Sequence, residues 1–106
     1  HNPCLAYIKD GEMPKLKPIL GDKKIDKVAS QMKEGDIGLL QYKRKNGNYH
    51  IIIAEKANSN ISLYDPQKNI KVNANTINNN LIQFVNLRGY DINKEICREV
   101  MKNGKR

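Results

Sequence analysis

Proton transfer near neutral pH is the natural work of an imidazole, and this chain has two, His1 and His50. His50 opens the run His50-Ile51-Ile52-Ile53-Ala54, the most apolar stretch in the sequence. A residue there is held on a rigid strand, yet it sits at the strand's beginning, where it can reach a cleft. Asp65-Pro66-Gln67 follows one hairpin later. In an antiparallel pair the start of one strand lies near the end of the next, so Asp65 can approach His50. A carboxylate there fixes the imidazole tautomer and stabilises its charged form. The other reactive group is a thiol. Asn2-Pro3 reads as a helix start, which puts Cys4 in the first turn, where the helix dipole favours thiolate over thiol. A histidine nearby would serve such a nucleophile as its base. Each residue also has a plainer reading: His50 as a core histidine with one hydrogen bond, Asp-Pro as a turn former, and Cys4 as a small buried hydrophobe. Cys97, beside Ile96 and Val100, reads as core. The two cysteines can be paired or unrelated, and they have no spacing suited to zinc.

The elements that must position these groups follow from periodicity. A short helix from Asn2 ends near Gly11, and a segment with Pro14 and Pro18 reads as loop. Between Asp22 and Glu34 the residues Ile25, Val28, Ala29 and Met32 fall on one helical face, with Asp22 as cap and Gly35 as stop. Strands are predicted over Ile37 to Tyr42, Tyr49 to Glu55, Ile61 to Tyr64, Ile70 to Val72 and Leu81 to Leu87. Lys45-Asn46-Gly47-Asn48 carries a hairpin signature between the first two. The Asn-rich run from Asn73 to Asn80 reads as irregular, and Asp91 or Asn93 caps a last helix carrying Ile92, Ile96 and Val100. The predicted class is α+β: N-terminal helices packed on an antiparallel β-meander, with a C-terminal helix, in one domain over residues 1–106.

The balance of 19 Lys+Arg against 11 Asp+Glu gives a net charge of +8. So positive a field attracts polyanions, nucleic acid above all, or an acidic protein partner. No apolar run approaches the roughly 20 residues of a membrane span, and scattered basic residues do not make a membrane-surface helix. No Walker, dinucleotide or zinc signature is present, so no cofactor or metal is expected. With no Trp and a single Phe, a base-stacking platform is not expected either. The chain begins at His1 and shows no signal-peptide stretch, and a reduced cytosolic working site is expected.

Three stretches carry a resemblance: Gly35-Asp36-Ile37-Gly38-Leu39-Leu40, Gly47-Asn48-Tyr49-His50-Ile51-Ile52-Ile53, and Ile61-Ser62-Leu63-Tyr64-Asp65-Pro66-Gln67. Together, over roughly residues 35 to 72, they resemble the papain-fold toxin domains that end bacterial polymorphic toxins, including those of contact-dependent growth inhibition. They are similar also to the cysteine-peptidase domains of bacteriocin exporters. The resemblance implies a papain-like core and a Cys4, His50, Asp65 order of catalytic residues, with Gln67 beside them. It also implies secretion within a larger bacterial toxin, action in the target-cell cytoplasm, and a cognate immunity protein, expected to be acidic. A host activating factor is a further partner such systems can use.

Small basic toxin domains of this kind are frequently ribonucleases, which makes metal-independent cleavage of RNA, tRNA in particular, the first expectation. In such a reaction His50 would act as base toward a ribose 2′-OH or as acid toward the leaving oxygen, with Tyr49, Asp65 or Tyr64 assisting. Lys43, Arg44, Lys45 and Arg88 would hold phosphate. A cysteine peptidase or deamidase using Cys4, and a non-catalytic module binding an acidic partner, are the alternatives.

Overall fold

Alternating apolar residues turn most of this chain into sheet. The computed structural model describes residues 14–90 together with Glu95 and Glu99. Its strands are β1 (Lys17–Ile19), β2 (Ile37–Lys43), β3 (Tyr49–Ala57), β4 (Asn60–Asp65), β5 (Ile70–Val72) and β6 (Ile82–Asn86). One α-helix, α1 (Lys24–Ser30), and a 3-10 turn at Ala74–Thr76 complete the described elements. All neighbouring strands run antiparallel, in the order β1-β6-β2-β3-β4-β5.

The expectation of N-terminal helices on a meander, closed by a C-terminal helix around a papain-like core, is overturned. The described residues form a six-stranded antiparallel sheet with a single α-helix. Strands β2 to β5 follow one another as a meander, but β6 returns across the sheet to lie between β1 and β2. Strand β1 falls where loop was expected, since Pro14 and Pro18 argue against strand. Pro18 is tolerated because β1 is an edge strand and a ladder on one side alone needs few of its N–H groups. Helix α1 is shorter than its apolar pattern. It begins after Lys23, whose φ of 52° is left-handed, and no side chain caps it, so Asp22 does not play that part. The segments expected to form the first helix, around Cys4, and the last, from Asp91 to Val100, lie outside the described residues apart from Glu95 and Glu99.

The sheet is buried on both faces. On one, Ile25, Val28 and Met32 from α1 and its exit cluster with Leu40, Ile52, Ala54, Leu63, Ile82 and Phe84. On the other, Ile37, Leu39, Ile53, Tyr64 and Leu87 form a second core. Both cores meet in β2, whose first four residues are all buried. Each fully buried Leu or Ile side chain stabilises the fold by about 1.5–3 kcal/mol. Gly38 lets β6 approach: a Cβ there would stand 2.5 Å from Cε1 of Phe84 and 2.8 Å from the Val85 carbonyl oxygen.

Two tethers fix the strand ends opposite the β2–β3 turn. Asn58 and Ser59, both at positive φ, make the tight turn from β3 to β4, and the Glu34 carboxylate accepts from both their N–H groups at 2.5 and 3.0 Å. Lys56 donates its ammonium to the Ala29 and Met32 carbonyls, satisfying the C-terminal end of α1.

Candidate active site

His50 is the second residue of β3, and its side chain faces the α1 side of the sheet, in step with Ile52 and Ala54. The hairpin before it is made by local chemistry. Gly47 takes a φ of 89° and donates its N–H to the Arg44 carbonyl, while Asn46 accepts from the Asn48 N–H. This turn sets the register that puts Tyr42 opposite His50. The two rings meet edge to face, with centroids 5.8 Å apart and planes at 85°.

Asp65 ends β4 and is held by the turn it starts. Its Oδ1 accepts from the Gln67 and Lys68 N–H groups at 2.9 and 3.1 Å, and its carbonyl accepts from the Asn69 N–H. Asn69 tolerates the positive φ of 59° that closes the turn. The other carboxylate oxygen, Oδ2, lies 2.8 Å from Nε2 of His50. Both residues are buried, His50 at 7% exposure and Asp65 at 3%. Division of labour between the two oxygens leaves Asp65 without freedom to turn away, so the imidazole plane is set by a group that is itself fixed. With Nε2 on the carboxylate, Nδ1 is the nitrogen left to exchange a proton with a reacting group.

Other residues expected at the site are placed differently. Tyr49 precedes His50 on β3, so it points to the opposite side of the sheet, and it is half exposed. Gln67 contributes its main-chain N–H, and its side chain is on an exposed residue. Tyr64 lies in the second core and donates its hydroxyl to Asn69, away from His50. Lys43 ends β2, and Arg44 and Lys45 lie in the hairpin turn, at the same end of the sheet as His50. Cys4, Cys97 and His1 lie outside the described residues.

Arg88 is engaged elsewhere. Its guanidinium donates to both oxygens of Asp36, with Nη2 at 2.5 Å from Oδ2. Asn86 and the Lys33 N–H complete the carboxylate's partners. The Arg88 hydrogen bonds hold Asp36 well below the ordinary carboxylate range, against the opposing effect of burial. The same pairing raises the Arg88 guanidinium. Asp36 precedes β2 and lies six positions before Tyr42, so this pair stands about 20 Å along the sheet from His50.

Tyr42 is the member of the site that the sequence reading did not single out. Its signal was there: a hairpin centred on Lys45-Asn46-Gly47 brings Tyr42 opposite His50. Among the described residues, no group of three His, Cys, Asp or Glu side chains is placed to hold a metal ion. No helix among them is long and apolar enough to cross a membrane. The chain matches no family model, no curated protein and no solved structure.

Proposed function

We propose that this chain is a thiol-dependent amide hydrolase, a peptidase or deamidase, in which Cys4 attacks, His50 carries the proton and Asp65 holds the imidazole. The observation that carries the reading is the buried His50–Asp65 pair, 2.8 Å between Nε2 and Oδ2. An imidazole fixed through one nitrogen by an immobile carboxylate is built to pass a proton through the other. The chain offers one thiol with a reactive setting, at Cys4 behind Asn2-Pro3.

In this reaction the Cys4 thiol gives its proton to Nδ1 of His50 and its sulfur bonds to the amide carbonyl carbon. Collapse of the tetrahedral adduct breaks the carbon–nitrogen bond, and the leaving amine or ammonia takes the proton from His50. Water, deprotonated by the same nitrogen, then cleaves the thioester, giving a carboxylic acid and the free thiol. Asp65 keeps its charge throughout and offsets that of the imidazolium. The resemblance of residues 35 to 72 extends the proposal to a bacterial toxin domain, released in a target-cell cytoplasm and neutralised by an acidic immunity protein.

Metal-independent cleavage of RNA, tRNA included, is the second reading. It is favoured by Lys43, Arg44 and Lys45 lying at the His50 end of the sheet. There His50 would take the ribose 2′-OH proton, the 2′ oxygen would attack phosphorus, and the leaving 5′ oxygen would be protonated in turn. Two features weigh against it: His50 is only 7% exposed to a bulky polyanion, and Arg88 is already paired with Asp36.

One substitution separates the two. Cys4→Ser should abolish amide hydrolysis and the alkylation of position 4, leaving only that of Cys97, and should leave an RNase unchanged because that nucleophile belongs to the ribose. Activity is read as release of ammonia or amine from casein, and as total RNA on a denaturing gel. RNA cut equally by wild type and Cys4→Ser, with no amide product, would defeat the thiol mechanism.

A further inference from the structure

The described residues expose three large apolar side chains, Leu20 at 73%, Leu81 at 59% and Tyr49 at 52%. All three line a single groove of about 180 Å³, whose floor includes Ile19 and Ile82. They come from three separate parts of the chain: the exit of β1, the entry to β6 and the start of β3. Apolar residues scattered singly over a surface need no explanation, but convergence of every such residue on one groove marks a contact surface.

Charge says what the surface fits. Lys27 directs its ammonium to the Leu20 carbonyl at 2.5 Å, and Lys24 directs its own to the Asn80 carbonyl, beside Leu81, at 2.7 Å. Each exposed leucine thus has an ammonium fixed next to it. The groove lining contains no acidic residue. Neither Lys24 nor Lys27 is in an ion pair with a carboxylate among the described residues. Two acids stand close by in sequence, Asp22 before Lys23 and Asp26 before Lys27, and neither forms an ion pair with Lys24 or Lys27.

We propose that this groove binds a protein segment that presents adjacent apolar side chains flanked by carboxylates. The apolar side chains cover Leu20, Leu81 and Tyr49, and the carboxylates reach Lys24 and Lys27. Leucine side chains offer nothing to a phosphate or to a base edge, which favours an acidic peptide over RNA. The inference goes beyond the hydrolase reading, since the surface is a binding site whether or not Cys4 is a nucleophile.

The test uses the whole chain and three fluorescein-labelled peptides: Glu-Glu-Leu-Leu-Glu-Glu, the same with Ser-Ser at its centre, and Lys-Lys-Leu-Leu-Lys-Lys. Fluorescence anisotropy reads binding without turnover, so failure of the hydrolase reading leaves the measurement intact. The acidic leucine peptide should bind at least about tenfold tighter than either control. Leu20→Ser with Leu81→Ser, both at exposed positions, should erase that preference while circular dichroism stays unchanged. Lys24→Gln with Lys27→Gln should weaken the acidic peptide several-fold and flatten its salt dependence. Equal or absent binding of the three peptides would overturn the proposal. So would an RNA oligonucleotide that competes at the leucines. Self-association of the chain in sedimentation, abolished by the leucine double variant, would assign the groove to a second copy instead.

Discussion

His50 and Asp65 meet diagonally across β3 and β4. Ile53 pairs with Tyr64, and continuing that register sets Asp65 across from Ile52, with His50 two residues further on the same face. The contact therefore depends on strand register, and a slip of one residue would send the carboxylate to the other side of the sheet.

That dependence makes the pair separable from its neighbours by a double-mutant cycle. His50→Ala leaves a buried carboxylate without its ring partner, and Asp65→Ala leaves a buried ring without its acceptor. Each should cost about 1–3 kcal/mol in urea unfolding, and the double variant clearly less than the sum. In activity, His50→Ala should lose 10²–10⁴-fold, the usual contribution of a positioned proton carrier. Additive unfolding costs together with full activity in a folded His50→Ala chain would remove His50 and Asp65 from the mechanism.

Gly38 is a second place where one atom decides. The Phe84 ring edge and the Val85 carbonyl occupy the space a side chain would need, and a main-chain carbonyl cannot step aside as a flexible side chain can. Gly38→Ala should destabilise by about 1–3 kcal/mol through overpacking. Gly47→Ala should also destabilise, but because of its φ of 89°, since nothing lies within 4 Å of a Cβ there. Thermal unfolding of the two variants, each paired with Phe84→Leu, tells them apart. The smaller residue should recover part of the Gly38→Ala loss and none of the Gly47→Ala loss. Equal effects of Phe84→Leu on both would show that Phe84 is not the obstacle.

Asp36 gives the fold an acid-sensitive joint. The Arg88 hydrogen bonds depress its folded-state pKa below the unfolded value, so between the two the unfolded chain binds more protons. Its stabilisation is present above the ordinary carboxylate range and drains away as pH falls below about 4. Asp36→Asn should lower stability at pH 7 by about 1–2 kcal/mol, a modest figure because Arg88 is half exposed. It should also flatten the fall in melting temperature below pH 4. An unchanged acid limb in Asp36→Asn would place the acid sensitivity elsewhere.

How far the sequence could be read follows from which interactions were local. Strands β2 to β5 were legible because each is bounded by its own turn chemistry, Asn46-Gly47, Asn58-Ser59 and Asp65-Pro66, and such turns act within a few residues. The proximity of Asp65 to His50 was legible for the same reason, being one hairpin away. The place of β6 was not. It pairs with β2 across the whole of residues 44–81, and nothing local distinguishes that partner from β5. Strand β1 was hidden by Pro18, whose meaning reverses once the strand lies at an edge. In the sequence Arg88 reads as a phosphate ligand because its carboxylate partner, Asp36, is distant along the chain and adjacent only after β6 pairs with β2.

The hairpin between β2 and β3 remains the place to weigh RNA against protein as a partner. Lys43, Arg44 and Lys45 follow one another where the chain leaves β2, and no carboxylate neutralises them among the described residues. If they hold RNA, each phosphate contact releases counterions, and log affinity falls against log salt with a slope of about 0.7 to 0.9 per contact. Replacing all three with Gln should then reduce the slope by about 2 to 3, whatever the RNA sequence. His50→Ala should leave that slope alone and change only cutting. Titrations of one tRNA and one unrelated RNA into wild-type and triple-Gln protein at several salt concentrations provide the measurement. The hairpin's own hydrogen bonds, Gly47 N–H to the Arg44 carbonyl and Asn48 N–H to the Asn46 side chain, involve none of the three charged side chains, so the turn should survive the change. Identical slopes would therefore mean that this basic cluster is solvated and that RNA is not held at the His50 end of the sheet, which removes the observation favouring a ribonuclease.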